Sequence, residues 1–117
     1  MLDPIAAEVR DFLVGTFGAA PRRSWGLDAL YHGGRLFVLF EDEALVGKFP
    51  PALRRELRET VPGMHAFMDD ADSPTASWQA VPLAAIGAER AIGIALAAAA
   101  YVQTAEGAPR TRRRRGG

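Results

Sequence analysis

The stretch from Ser24 to Phe49 constrains the fold more than any other part of the chain. Its first turn is His32-Gly33-Gly34-Arg35, where paired glycines can adopt the positive φ angles that a β-hairpin turn requires. Residues 36–40 then form a continuous apolar run, which is typical of a central strand covered on both faces. Residues 41–43 make a second, acidic turn. The stretch therefore predicts a three-stranded antiparallel meander, and its apolar faces need helices to cover them.

The flanking segments predict three helices and two more strands. Asp3 and Pro4 are favoured at the N-cap and first position of an N-terminal helix. A short, charged helix follows Pro50-Pro51, and a small-residue helix spans Gly87 to about Gln103. Candidate strands cover residues 64–68 and 77–81. The sequence therefore predicts an α+β fold, in which an antiparallel sheet of about five strands packs against N-terminal, short middle and C-terminal helices.

The 117 residues suit one domain with one core. The chain has no cysteine, which excludes disulfides, thiolate metal sites and cysteine nucleophiles. Residues 1–12 are charged throughout and lack the pattern of a signal peptide. The most apolar segment, residues 91–102, is shorter than the roughly 20 residues that span a bilayer. We therefore expect a soluble, cytoplasmic protein that does not enter a membrane.

The formal net charge of zero hides an asymmetry. Five of the fourteen basic side chains lie in the last eight residues, which leaves nine basic against fourteen acidic side chains in residues 1–109. The five are Arg110, Arg112, Arg113, Arg114 and Arg115. Residues 104–117 lack apolar periodicity, so we expect a folded domain over residues 1–103 and a disordered Arg-rich tail over 104–117. Such a tail is typical of nonspecific nucleic-acid binding, and also of solubility appendages.

No motif in the chain indicates catalysis. The two histidines, His32 and His65, lack the spacing of metal ligands. Three adjacent carboxylates, Glu41-Asp42-Glu43, fall in one turn, where neighbouring side chains point apart into water. Neither a nucleophile-elbow serine nor a glycine-rich phosphate loop is present. The sequence therefore predicts a protein that is not an enzyme, with no catalytic residue, no metal and no cofactor.

Several basic and aromatic residues leave two interpretations open. Arg22 and Arg23 either meet a phosphate or carboxylate, or form a solvated entry to the first strand, which is the commoner role of such a pair and the one favoured here. Lys48 either points toward an anionic ligand or protects an edge strand from pairing. Trp25 and Trp78 are contact residues if exposed and core residues if buried.

The order of these elements resembles the TfoX/Sxy N-terminal domain family. Ser24-Trp25-Gly26 stands at the family's entry motif, and residues 34–39 fit its second strand. Residues 45–48 fit its third strand with Lys48 on the family's lysine, and residues 77–82 fit its late Trp and Pro. The similarity covers roughly residues 3 to 103. It implies an α+β fold, similar also to YjbR/MmcQ-like proteins, a bacterial origin and a link to transcriptional regulation or DNA, without an active site.

Three hypotheses about function follow. The first is a non-enzymatic regulatory or adaptor domain that acts through contacts with an unknown protein partner, helped by nonspecific nucleic-acid contacts from the tail. The second is a direct nucleic-acid-binding protein in which Arg22, Arg23, Lys48 and the tail arginines form one basic path. The third is a small-ligand binder or enzyme with a pocket between the sheet and the closing helix.

Overall fold

The computed structural model describes residues 2–67, 78–104 and 107. This part of the chain contains three α-helices and six strands. In chain order they are α1 (Pro4–Phe12), β1 (Ala20–Ser24), β2 (Leu27–His32), β3 (Arg35–Glu41), β4 (Ala44–Gly47), α2 (Pro51–Thr60), β5 (His65–Ala66), β6 (Gln79–Pro82) and α3 (Leu83–Tyr101). A π-helical turn, Leu13–Phe17, continues α1. The α+β fold predicted from the sequence is confirmed, with six strands in place of about five.

All six strands belong to one antiparallel sheet with the order β1-β2-β3-β4-β6-β5. Two-residue turns join β2 to β3 and β3 to β4. In the first of these turns Gly33 and Gly34 have φ angles of 59° and 78°, as the hairpin requires. Residues 37–40 of β3 are buried, because β3 lies inside the sheet. The predicted central meander is confirmed.

The main core lies between the sheet and the three helices. The side chain of Asp3 caps α1 by accepting hydrogen bonds from the backbone N–H groups of Ile5 and Ala6, at 3.0 and 3.3 Å. Buried residues of α1, α2 and α3 meet buried residues of β2, β3, β4 and β6 in one apolar cluster. Its larger members include Val9, Leu13, Leu30, Phe37, Phe40, Leu45, Phe49, Leu57, Val81 and Ile94.

The opposite side of the sheet carries a second, smaller apolar cluster, to which no helix contributes among the described residues. Its centre consists of four residues that are each at most 1% exposed, namely Ala29, Leu39, Val46 and Ala80. These four residues are directly paired across β2, β3, β4 and β6. Larger, half-buried side chains surround them, namely Leu27, Tyr31, Leu36, Phe67 and Trp78, with Ala44. We call this side of the sheet the helix-free face.

Helix α3 is long and apolar enough, by length and composition alone, to cross a membrane. Gly87, however, has φ 82° and ψ 167°, which interrupts the helical backbone after its first turn. The regular part that follows, residues 88–101, is about 21 Å long at 1.5 Å per residue, shorter than the roughly 30 Å of a bilayer core. Its buried residues, including Ala91, Ile94 and Ala98, pack in the main core. Helix α3 is therefore a core helix of this fold.

The structure corrects four predicted boundaries. Arg22 and Arg23 lie inside a strand, β1, rather than before the first one. Pro82 is the last residue of β6, one residue beyond the predicted end of that strand, and α3 begins at the next residue instead of at Gly87. The candidate strand over 64–68 is only two residues long, since β5 is His65–Ala66, and Met68 lies outside the described residues.

The predicted tail begins at Thr104, yet the chain still makes defined contacts there. The Thr104 hydroxyl donates to the Tyr101 carbonyl at 2.6 Å, and it accepts from the backbone N–H of Gly107 at 3.0 Å. Gly107 is buried. The rest of the predicted tail, with its five arginines, lies outside the described residues.

Candidate binding surface

Trp25 occupies a turn where its residue type is unexpected. Ser24 pairs with Leu27, so Trp25 and Gly26 form a two-residue turn between β1 and β2. Both have positive φ angles, 53° and 74°. Such turns favour Asn-Gly, because asparagine tolerates the left-handed conformation far better than a bulky side chain does. Trp25 is nevertheless 62% exposed, so burial of its side chain does not explain its presence.

The side chain of Arg23 braces this turn from within. Its Nη2 donates to the carbonyl of Gly26, and its Nη1 lies 3.3 Å from Oδ1 of Asp28 in a salt bridge. Asp28 is the residue opposite Arg23 in the β1–β2 ladder. Guanidinium forks are well suited to such double contacts, which fix the direction of the chain. The turn that presents Trp25 is therefore held in place.

Trp25 reaches across the sheet to Phe67. The two rings meet edge to face, with centroids 6.3 Å apart and an interplanar angle of 79°. Phe67 follows β5, and four strand-to-strand steps separate β5 from β2 in the sheet order. In a flat sheet those steps amount to about 19 Å. The sheet is therefore curved toward its helix-free face. The contact between Trp25 and Phe67 spans this curvature, over the small apolar cluster.

Three more residues of the β1–β2 hairpin extend this surface. The Arg22 guanidinium carbon lies 5.7 Å from the centre of the Tyr31 ring, in a cation–π arrangement. The hydroxyl of Tyr31 is 3.1 Å from the hydroxyl of Ser24, next to the Trp25 turn. These residues form one aromatic and polar patch, which we call the Trp25 patch. It consists of Arg22, Ser24, Trp25, Tyr31 and Phe67.

The structure does not bring the three predicted basic residues of the folded part together. Arg22 lies on the helix-free face, whereas Arg23 is engaged with Asp28 and Gly26. Lys48 follows β4, three strand-to-strand steps from β1, and is half-buried. Since β4 lies between β3 and β6, the interpretation of Lys48 as an edge-strand residue is wrong. The tail arginines Arg110, Arg112, Arg113, Arg114 and Arg115 lie outside the described residues.

The predicted histidines and tryptophans fall into separate environments. His32 stacks on Phe17 with ring centroids 4.2 Å apart, and Nδ1 of His65 is 3.0 Å from the carbonyl of Gly63. Trp78 is half-buried beside the small cluster, so only Trp25 is largely exposed. Within residues 2–67, 78–104 and 107, no group of three or more acidic, histidine or cysteine side chains is placed to hold a metal ion.

The turn at Trp25-Gly26 is not among the predictions from the sequence. The signal that was available is the Trp25-Gly26 dipeptide, because glycine at the second position of a two-residue loop is typical of a type I′ hairpin. That interpretation needs β1 as a partner strand, and β1 contains a proline and two arginines with no apolar alternation. No local sequence pattern predicts the contact between Trp25 and Phe67.

These observations define a two-layer α+β protein in which three helices cover one face of a curled antiparallel sheet and an exposed tryptophan stands at the edge of the other. Comparison with known proteins extends this description no further. No family model, no curated protein and no solved structure matches the chain.

Proposed function

We propose that the protein is a non-enzymatic binding module, a cytoplasmic bacterial regulator or adaptor of the TfoX N-terminal type, which holds a partner protein at the Trp25 patch. One observation carries the proposal: Trp25 is 62% exposed at a turn position that the fold itself would fill better with asparagine. Residues with unfavourable backbone angles cluster at functional sites, where the environment holds them in place. Tryptophan is also enriched among the residues that dominate protein–protein binding.

The surroundings of Trp25 favour a protein over a nucleic acid as the partner. Residues 1–109 carry an excess of five acidic side chains, which repels a polyanion. Of the two arginines in β1, Arg23 is already paired with Asp28. The chain also runs on from Phe67 into a segment with three aspartates, Asp69, Asp70 and Asp72. The partner chemistry that suits this surface is an apolar pocket that accepts the indole.

A Trp25→Asn substitution tests the proposal with little damage to the fold. It removes an edge-to-face contact worth about 0.5–1.5 kcal/mol and relieves a backbone conformation that costs on the order of 1 kcal/mol. We therefore expect the free energy of unfolding to stay within about 1 kcal/mol of that of the native protein. Affinity for the partner should fall by at least about 30-fold, the loss typical of a central tryptophan.

The measurement is affinity capture from bacterial extract with the full chain, followed by a dissociation constant for each purified partner. Phe12→Ala is the matched control, because Phe12 is the other large exposed apolar side chain among the described residues and lies on α1, away from the helix-free face. A partner retained by the native protein and by F12A, and lost by W25N, supports the proposal. Equal binding of a purified partner by W25N and the native protein contradicts it.

Binding to a random-sequence duplex across a salt series tests the nucleic-acid alternative. The full chain is compared with a chain that ends at Ala108 and therefore lacks the five tail arginines. We expect a steep salt dependence only for the full chain, because nonspecific binding follows the number of phosphate contacts. Duplex binding by the truncated chain would assign the folded domain to nucleic acid and would overturn the protein-partner proposal.

A further inference from the structure

We propose that a pocket beside the β2–β3 turn binds the phosphate group of a small molecule. The pocket has a volume of about 420 Å³ and lies apart from the Trp25 turn, at the other end of β2. It is lined by Gly18 and Ala20, which lead into and begin β1, by Arg22, and by residues 31–34. We call it the turn pocket. Its volume falls within the range of small-molecule sites, roughly 300–1,000 Å³.

The turn pocket offers hydrogen-bond donors that have no acceptor within the described part of the chain. Arg22 makes no hydrogen bond or salt bridge there; its guanidinium stacks near Tyr31, which leaves the N–H edges free. The backbone N–H groups of Gly33 and Gly34 also lack an acceptor among the described residues, because the flanking pair His32 and Arg35 closes the turn. A guanidinium fork and two successive turn amides are donors of the kind that bind anions.

The charge of the lining is opposite to that of the rest of the domain. No carboxylate is among the residues that line the turn pocket, although residues 1–109 hold fourteen acidic against nine basic side chains. The nearest acidic residue along β2 is Asp28, which is paired with Arg23. A pocket lined by an arginine, a histidine and glycine backbone, on an acidic protein, attracts small anions selectively.

Contacts from other elements hold the turn ready for a ligand. The Gln103 side chain donates to the carbonyl of His32 at 2.9 Å, and the Arg35 guanidinium donates to the carbonyl of Val102 at 2.7 Å. The His32 ring stacks on Phe17. A preorganised site loses less conformational entropy when it binds, so weak donors at a fixed turn can hold an anion. Phosphate suits this set better than carboxylate does, because its three terminal oxygens can satisfy the guanidinium and both amides at once.

The test is a titration of the ¹⁵N-labelled full chain with inorganic phosphate at constant ionic strength, with chloride as the balancing salt. We expect saturable shifts of the Gly33 and Gly34 amide signals. Arg22→Gln should weaken the binding constant about tenfold, the share of one charge-assisted contact. The matched control is Arg55→Gln on α2, which removes an equal charge from an exposed position far along the chain and should leave the constant unchanged.

Reading the glycine amides individually separates the turn pocket from phosphate held by the tail arginines. Shifts that do not saturate, or an R22Q constant equal to that of R55Q, overturn the proposal. Phosphoserine and adenosine monophosphate are then titrated in the same way, and the source of the phosphate is assigned to whichever form binds most tightly. Tighter, steeply salt-dependent shifts with single-stranded DNA would assign the pocket to nucleic acid and overturn the small-molecule proposal.

The turn pocket shares Arg22 and Tyr31 with the Trp25 patch, and W25N distinguishes the two proposals. The substitution leaves every residue that lines the turn pocket in place, so its glycine amides should respond to phosphate as they do in the native protein. A lost response in folded W25N would show that the phosphate site is not the turn pocket. A retained response together with unchanged partner affinity would overturn the protein-partner proposal alone.

Discussion

Replacing Phe49 by alanine is expected to remove about 3–5 kcal/mol from the free energy of unfolding, the range observed for buried phenylalanines. Phe49 follows β4 and is completely buried in the main core, where α2 and α3 also contribute. The substitution removes the ring and leaves a cavity that the surrounding strands fill only in part. Since small domains have a total stability of about 5–15 kcal/mol, the variant should be close to unfolding.

Urea denaturation measures this loss as a lower midpoint with an unchanged slope. The matched control is F12A, because Phe12 is 37% exposed and alanine is the better helix former in α1. We expect about 1 kcal/mol or less for F12A. A loss of that size for F49A as well would contradict the position of Phe49 in the core.

Gly47→Ala is expected to destabilise the protein by about 1–3 kcal/mol, although alanine usually stabilises a strand relative to glycine. A Cβ atom at Gly47 would lie 2.9 Å from Cε1 and Cζ of the Phe49 ring and 3.4 Å from the Phe37 carbonyl oxygen. Real contacts of this kind are longer, so the ring has to move. The ring is fully buried and cannot move into solvent, and the cost therefore falls on core packing.

The double variant tests this explanation directly. In the F49A background the ring is absent, so G47A should be neutral or stabilising, by up to about 1 kcal/mol. The two substitutions should then differ from additivity by about 1–4 kcal/mol, as expected for residues in contact. Urea titrations of the four proteins give the coupling energy. Additive effects would mean that the Gly47 position is restricted by something other than Phe49.

The central part of the fold follows from local sequence patterns. Gly33 and Gly34 predicted the β2–β3 turn, because few residues besides glycine adopt positive φ angles at both central positions. The apolar run over residues 36–40 predicted β3 as an interior strand, and it is buried there. Asp3 and Pro4 predicted the start of α1, which Asp3 caps. In each case the physical reason for the structural element lies within a few adjacent residues.

The missed elements have their cause elsewhere in the chain. Strand β1 contains Pro21 and two arginines and is exposed at four of its five positions, so it has no apolar alternation to detect. It is a strand because it pairs with β2, which follows it. The candidate strand over residues 64–68 is present but shorter, because β5 is only His65–Ala66, the two residues that pair with β6. The edge-strand interpretation of Lys48, one of the two left open, is wrong because the strand order, which puts β6 beside β4, cannot be derived from the local pattern.

Both proposed sites depend on tertiary structure even more than the strands do. Trp25 and Phe67 are 42 positions apart in sequence, and the curl of the sheet brings their rings together. Arg22 reaches the turn pocket only because β1 pairs with β2, and Gln103 fixes the pocket's turn from 71 positions away. The sequence by itself determined the β2–β3 and β3–β4 turns, the cap of α1 and the buried strand β3, because these obey backbone sterics and short-range periodicity. Tertiary structure alone decided which side chains share a surface, because strand order and sheet curvature follow from packing over the whole chain.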